Sequence, residues 1–146
     1  SMSAKTSRKG ANKLVVDIKG EKHLHKLVAE ADTPVIIDFW APWCGPCKVM
    51  GPVFQAAAKD HKGKERFLKV NTEANPALSR AFNIASIPSL VVLVGGHIFD
   101  VHVGVASRSH LQTLVNRALD KQAGKGLVDR VKAMFSRRSE PSNQVA

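Results

Sequence analysis

The chain of 146 residues contains only two cysteines, and they lie three positions apart in the segment Trp43-Cys44-Gly45-Pro46-Cys47. Two thiols at this spacing can approach closely enough to form a disulfide. A single bridge over so short a loop would stabilise the fold little, so a structural disulfide framework is not indicated. The pair Cys44 and Cys47 therefore predicts redox chemistry by thiol–disulfide exchange.

The surroundings of the pair indicate different roles for the two thiols. A helix is expected to begin near Cys44 and to run to about His61, with Gly45 permitting a tight turn and Pro46 suited to the first helical turn. Unpaired N–H groups and the positive end of the helix dipole favour a thiolate at Cys44, and the thiolate is the form that attacks a disulfide. We therefore expect Cys44 to be the nucleophile and Cys47, one turn further in and shielded, to resolve the mixed disulfide.

Two other interpretations of the cysteines are weaker. They could be structural thiols that happen to lie close together, or half of a zinc site completed by His97 and His102. The histidines follow about fifty residues later, far beyond a zinc-finger spacer. They also lie an odd number of positions apart on one predicted strand, so their side chains point to opposite faces. We therefore expect no metal site.

The elements that must position the dithiol alternate along the chain. Val35–Trp40 is an almost unbroken apolar run, which suits a central strand covered on both faces. Gly95-Gly96 is a two-residue hairpin signal between two strand candidates. The other elements are expected as strands over 13–18, 65–70, 88–94 and 97–103 and helices over 21–31, 75–82 and 107–121. This order, β-α-β-α-β-α-β-β-α, predicts an α/β fold with a mixed five-stranded sheet and helices on both faces.

Composition shifts divide the chain into three regions. Residues 1–12 lack apolar periodicity and are expected to form a disordered basic tail, and residues 13–122 form one domain. Gly124 and Gly126 are expected to end that domain before a basic amphipathic extension, residues 123–146. We expect the extension to form an extra C-terminal helix that packs on the domain or on a neighbouring chain, with a membrane-surface anchor or disorder as alternatives. Its apolar residues at helical spacing are Leu127, Val128, Val131, Met134 and Phe135.

The net charge of +10 is concentrated in the tails, since residues 1–13 contribute +4, residues 124–146 contribute +3 and the long middle contributes +3. Basic tails can attract phosphates or acidic partners, but solvated ends that keep the protein soluble are the simpler interpretation, and we expect no nucleic-acid partner. The polar start, Ser1–Gly10, has no apolar stretch typical of a secretory signal. We therefore expect no secretory signal within this segment, and we expect the protein to act in the cytoplasm.

Three segments of the chain resemble one known protein family. Val35–Lys48, VIIDFWAPWCGPCK, is similar to the thioredoxin active-site region, Lys69–Pro76 and Ile87–Ser89 match it in order, and the similarity extends from about Leu14 to Lys121. The stretch KVNTE is most similar to the bacterial thioredoxin-2 branch. Residues 1–12 contain no cysteine that could belong to the N-terminal zinc ribbon usual in that branch.

The resemblance implies a thioredoxin fold in which Cys44 and Cys47 are themselves the redox centre, without a cofactor. It implies that Asp38 is buried beneath the dithiol and relays protons to Cys47, and that Lys69 pairs with Asp38. It also implies a cis bond before Pro88, facing the dithiol. Local hydrogen bonds around the aspartate, an ordinary exposed strand lysine and a simple strand-start proline are the corresponding alternatives. The residues expected to contact substrate are Trp43, Gly45, Pro46, Ile87, Pro88 and Gly104.

The Gly-Pro pair between the cysteines resembles that of reducing thioredoxins. The resemblance therefore implies an enzyme, a monomeric protein-disulfide reductase that acts on disulfide-containing proteins and is itself reduced by a thioredoxin reductase. Two alternatives use the basic tails: an interaction module built on the same fold, and a thioredoxin that delivers electrons at a membrane or in a periplasm. Contact of the C-terminal extension with a membrane is the less favoured expectation.

Overall fold

The computed structural model describes residues 14–62 and 65–145, with side chains described as far as Ser136. The tail predicted to be disordered, residues 1–12, lies outside the described residues. Within the described part, the expected order of strands and helices is confirmed. The strands are β1 (Val15–Asp17), β2 (Val35–Trp40), β3 (Arg66–Asn71), β4 (Ser89–Val94) and β5 (His97–Val103), and the helices are α1 (Glu21–Glu30), α2 (Gly45–Asp60), α3 (Pro76–Ala81) and α4 (Arg108–Val145).

The five strands form one mixed sheet in the order β1-β3-β2-β4-β5. β1, β3 and β2 are parallel, whereas β4 runs antiparallel to β2 and β5 antiparallel to β4. β2 therefore lies at the centre, and five of its six residues are buried. Its lack of polar alternation follows from this position, because both faces of a central strand are covered.

Each face of the sheet has its own apolar core. Side chains alternate along β2, so that Ile36 packs with Met50 and Phe54 of α2 and with α4, while Ile37 and Phe39 pack on the opposite face with α1 and α3. Asp38 has the same parity as Ile36 and so lies on the face that α2 covers. The helix that carries the dithiol is thus held directly over the central strand.

Two turns follow from local residue chemistry. Gly95 and Gly96 join β4 to β5 with φ values of 60° and 80°, a combination that favours glycine and that matches the right-handed twist of a hairpin. Ser107 caps α4 as expected, because its hydroxyl accepts the N–H of His110 at 3.1 Å and its carbonyl accepts the N–H of Leu111.

The break expected at Gly124 and Gly126 is absent, since α4 continues without interruption from Arg108 to Val145. Neither glycine has a positive φ, and a glycine inside a helix costs only about 1 kcal/mol relative to alanine, which neighbouring helical residues can offset. The five apolar side chains of the extension do not pack on the domain, because they are between 41% and 64% exposed, and their packing on a neighbouring chain stays a prediction. No helix in the described part of the chain is long and apolar enough to cross a membrane.

Candidate active site

The two cysteines lie at the N-terminal end of α2 and form a disulfide, with their Cα atoms 5.3 Å apart. Cys44 is the N-cap residue, in an extended conformation, and Cys47 lies in the first turn. The backbone N–H of Cys47 donates to the Cys44 sulfur at 3.2 Å. This N–H points at the Cys44 sulfur from the positive end of a 16-residue helix and so stabilises negative charge there.

Burial does not distinguish the two thiols in the way the sequence predicted. Cys44 is 4% exposed and Cys47 is 6% exposed, so the expected greater shielding of Cys47 is not found in the disulfide form. Their hydrogen bonding differs instead, because the Cys44 sulfur accepts the helix N–H that the Cys47 residue donates. The assignment of Cys44 as nucleophile therefore depends on the helix terminus.

The segment before β4 closes one side of the dithiol. The Ile87–Pro88 peptide bond is cis, which confirms the expected geometry, and the Ile87 side chain packs against the two cysteines. The Ile87 carbonyl oxygen lies 3.8 Å from the Cys44 sulfur, within reach of a thiol once the disulfide is reduced. Gly104 lies beside this segment, because its N–H donates to the Pro88 carbonyl at 2.8 Å.

The outer rim of the site is formed by the turn that leads into α2. Trp43 is 67% exposed, a large value for an aromatic residue, and Gly45 and Pro46 are exposed beside it. The other tryptophan, Trp40, packs against the cysteines from the end of β2. The structure thus brings together an exposed indole, the disulfide and an open stretch of backbone.

Asp38 is a fully buried acid, with no exposed surface. Neither of its carboxylate oxygens has a hydrogen-bond partner among the described residues, so the local hydrogen bonds considered as an alternative are not found. Loss of solvation raises the pKa of Asp38 to about 6, and the nearby charge of Lys69 opposes that rise. A carboxyl group with this pKa can exchange a proton near neutrality.

Lys69 is the neighbour of Asp38 on β3, in direct register and on the same face of the parallel pair. Its ammonium nitrogen lies 4.6 Å from the centre of the Trp40 ring, an arrangement that stabilises a cation over the aromatic face. It also reaches α2, where a Cβ at Gly51 would lie 3.9 Å from Nζ. The lysine therefore lies between the central strands and the dithiol helix.

Two further residues support the site through contacts that were not predicted from the sequence. Met50 is fully buried in α2, and its sulfur accepts the N–H of Ala106 at 3.3 Å, which holds the loop after β5 against the dithiol helix. Ser89 is buried, and its hydroxyl donates to the Ser86 carbonyl at 2.5 Å, which closes the turn around Pro88. No sequence pattern marks either contact, since each joins a side chain to a backbone group set by the fold.

The histidines considered for zinc lie elsewhere on the sheet. His97 pairs with Val94 beside the hairpin. The His102 ring lies 4.6 Å from that of His110, and its Nε2 lies 3.4 Å from the Val105 carbonyl. Across residues 14–62 and 65–136, no three His, Cys, Asp or Glu side chains are grouped as metal ligands.

Comparison with known proteins agrees with this geometry. The family model described as thioredoxin matches residues 15–117. Thioredoxin 1 of Nostoc is 40% identical over 92 residues, which cover 63% of this chain and 86% of that protein. A chloroplastic M-type thioredoxin of maize is 39% identical over 102 residues, 70% of this chain and 61% of the longer relative. Among solved structures, a thioredoxin of Malassezia sympodialis superposes with a TM-score of 0.65 at 33% identity, covering 71% of this chain and 90% of that one.

The matched region contains the whole sheet, the dithiol and the cis proline, and it ends within α4 before the extension. The chain belongs to the thioredoxin family of thiol–disulfide oxidoreductases.

Proposed function

We propose that this chain reduces disulfides in other proteins by dithiol–disulfide exchange through Cys44 and Cys47. The observation that carries the proposal is the Cys44 sulfur at the N-cap of α2, where it accepts the Cys47 N–H at 3.2 Å. Such a position lowers the pKa of a thiol and so supplies the attacking thiolate. The Gly-Pro pair between the cysteines supports reduction as the direction.

In the proposed cycle the Cys44 thiolate attacks one sulfur of a substrate disulfide. The substrate S–S bond breaks, one substrate thiolate leaves, and a mixed disulfide joins Cys44 to the substrate. Cys47 is deprotonated and attacks the Cys44 sulfur, which releases the second substrate thiolate and leaves the Cys44–Cys47 disulfide. Two electrons thus pass to the substrate from the sulfur pair itself, and we propose that no bound cofactor takes part.

Asp38 is the proposed proton acceptor for Cys47. It lies on the sheet face covered by α2, its carboxylate has no hydrogen-bond partner in the described ranges, and its pKa of about 6 suits proton exchange near neutrality. Lys69 is proposed to act by position, because its charge over Trp40 limits the rise in the pKa of Asp38. Asp38 would then take up the proton released from Cys47 within the protein. This transfer can occur even when bound substrate excludes water from the site.

The surface around the dithiol is proposed to bind an extended segment of substrate. Backbone groups of Ile87 lie beside the Cys44 sulfur, and main-chain pairing with an added strand is a general mode of peptide recognition. Trp43 offers an exposed aromatic face at the rim. The full set of proposed substrate contacts is Trp43, Gly45, Pro46, Ile87, Pro88 and Gly104.

We propose that a thioredoxin reductase returns the disulfide to the dithiol, and that the protein works as a monomer in the cytoplasm, where thiols are kept reduced. The stretch Lys69–Glu73 supports a place near the bacterial thioredoxin-2 branch. Family membership supports the reductase as partner most directly, because the Cys44–Cys47 dithiol on which a reductase would act lies within the matched residues 15–117.

Reduction of insulin disulfides tests the function. Wild type reduced by dithiothreitol is expected to accelerate insulin precipitation, and Cys44→Ser is expected to lower the rate to that of dithiothreitol alone because the nucleophile is lost. Cys47→Ser is the matched control, since it retains the nucleophile. It is expected to accumulate a mixed disulfide with substrate that mass spectrometry detects.

If wild type were as inactive as Cys44→Ser, the chain would be an interaction module and the proposal would be wrong. The direction is tested by the reduction potential of the Cys44–Cys47 couple. We expect a value near the roughly −270 mV known for thioredoxin. A value near that of strongly oxidising dithiols, about −120 mV, would reverse the direction.

A further inference from the structure

Helix α4 carries two separate apolar stripes. The first, with Leu111, Leu114, Val115 and Ala118, is at most 3% exposed and packs on the sheet. The second, called the distal stripe, consists of the apolar residues of the extension: Leu127, Val128, Val131, Met134 and Phe135. At 100° per residue the two stripes are centred roughly 150° apart around the helix. The distal stripe therefore faces away from the surface on which the first half of α4 packs.

Contacts beyond Ala118 show the same orientation. The Gln122 side chain donates to the Asp32 carbonyl in the loop after α1. The Lys125 ammonium lies against the hairpin, where a Cβ at Gly95 would be only 3.0 Å from Nζ. The helix thus contacts the domain through the side that carries Gln122, as far along as Lys125. On the other side, Val128 and Val131 are 51% and 41% exposed.

Basic side chains flank the distal stripe on both sides. At the same helical pitch, Arg130 lies along one edge and Lys121 and Lys132 lie along the other, and all three are exposed. Between residues 121 and 136 there are four basic side chains and a single acid, Asp129, which points away from the stripe. An apolar face with cationic borders is typical of helices that lie in the plane of an anionic lipid surface.

We propose that the distal stripe binds an anionic lipid surface, with its apolar side chains in the interface and its flanking lysines and arginine against the headgroups. Leu127, Met134 and Phe135 are at least half exposed and have the length to enter the interface. The stems of lysine and arginine can lie along the apolar boundary while their charges reach the phosphates. The extension thereby holds a thioredoxin domain at a membrane without spanning it.

Charge complementarity favours this occupant over a second copy of the chain. Pairing two distal stripes would bring Arg130 and Lys132 of both copies together, with no acidic border between residues 121 and 136 to oppose them. Like charges placed side by side in this way oppose association. An anionic surface supplies the opposite charge along both borders at once.

Sedimentation with lipid vesicles tests the proposal on the full chain. The vesicles consist of phosphatidylcholine alone or of phosphatidylcholine mixed with phosphatidylglycerol. Wild type is expected to partition at least about tenfold more strongly onto the anionic vesicles, and to lose this preference in high salt. The double variant Arg130→Gln with Lys132→Gln is expected to bind about five times more weakly for each charge removed.

Val131→Glu and Ala133→Glu form the matched pair, because they add the same charge two residues apart on opposite sides of the helix. Val131→Glu is expected to reduce partitioning at least about tenfold more than Ala133→Glu does. Equal effects of the two variants, or equal binding of wild type to both kinds of vesicle, would overturn the proposal. So would a dimer in lipid-free sedimentation equilibrium that Val131→Glu dissociates and Ala133→Glu does not. Insulin reduction is measured alongside, and its failure would bear on the dithiol alone.

Discussion

The two halves of α4 have the same kind of sequence and different surroundings. Both carry an apolar stripe at helical spacing, yet Leu111 is fully buried and Leu127 is 55% exposed. The first half packs with Leu90, Val92 and Val94 of β4 on one face of the sheet, while the second half extends beyond the sheet and turns its stripe away. Periodicity thus predicts that a helix has an apolar face, and the neighbouring elements decide what covers it.

Truncating a leucine in each half of α4 is expected to give the greatest difference in the free energy of unfolding. Leu111→Ala leaves a cavity in a packed core and is expected to lower the free energy of unfolding by about 3–4 kcal/mol. Leu127→Ala is expected to change it by less than about 0.5 kcal/mol, because little of that side chain is buried by the domain. Urea unfolding followed by circular dichroism measures both. Equal losses would mean that the distal stripe packs on the domain.

The second test compares a buried acid in the domain with an exposed one in the extension. The pKa of Asp38 is raised from 3.8 to about 6 in the folded protein. Between these values the folded protein holds a proton that the unfolded chain has lost, so the free energy of unfolding falls as pH rises through this range. Asp38→Asn removes this pH dependence. As pH rises through the range, the free energy of unfolding of the variant is expected to increase by up to about 3 kcal/mol relative to that of wild type.

Asp129→Asn removes the same charge from an exposed position and is the control for the aspartate. Denaturant unfolding at a series of pH values is expected to give the wild-type slope for Asp129→Asn and a flatter one for Asp38→Asn. A parallel displacement of both profiles would show that burial does not set the titration of Asp38.

The rate at which Cys47 resolves a mixed disulfide is expected to fall in Asp38→Asn, since the proposed proton acceptor is lost.

The smallest effect concerns the continuity of α4 between its halves. A Cβ at Gly124 or at Gly126 would meet nothing within 4 Å, and neither residue has a positive φ. Alanine at either position is therefore expected to stabilise the helix locally by about 0.5–1 kcal/mol. Amide hydrogen exchange between residues 121 and 136 measures this as slower exchange.

Gly96→Ala is the contrasting variant, because φ at Gly96 is +80° and alanine there is strained. It is expected to lower the stability of the hairpin, whereas the two helical variants raise local protection. If alanine at position 124 or 126 accelerated exchange instead, the helix would be interrupted there, as the sequence first predicted.

Much of the fold could be predicted because local signals agreed with one another. The apolar run Val35–Trp40, the Gly95-Gly96 turn and the Ser107 cap each predicted the element observed at that position. The glycines at 124 and 126 do not end the helix as expected, since glycine disfavours a helix by too little to end one where the residues on both sides favour it. The distal stripe does not pack on the domain, because periodicity gives the apolar face of a helix but not the position of the domain relative to that face.

The candidate site divides in the same way. That two thiols lie one turn apart at a helix N-terminus follows from the sequence alone, because their spacing and the Gly-Pro between them are local properties. Three other features of the site depend on tertiary packing. They are the lack of a hydrogen-bond partner for Asp38 among the described residues, the Ile87 carbonyl beside Cys44, and the contact by which Met50 holds the loop before α4. These contacts join residues far apart in the chain, and their distances depend on how β2, β4 and α2 pack against one another. Local sequence specifies the dithiol, whereas the packing of distant elements specifies the acid beneath it and the surface around it.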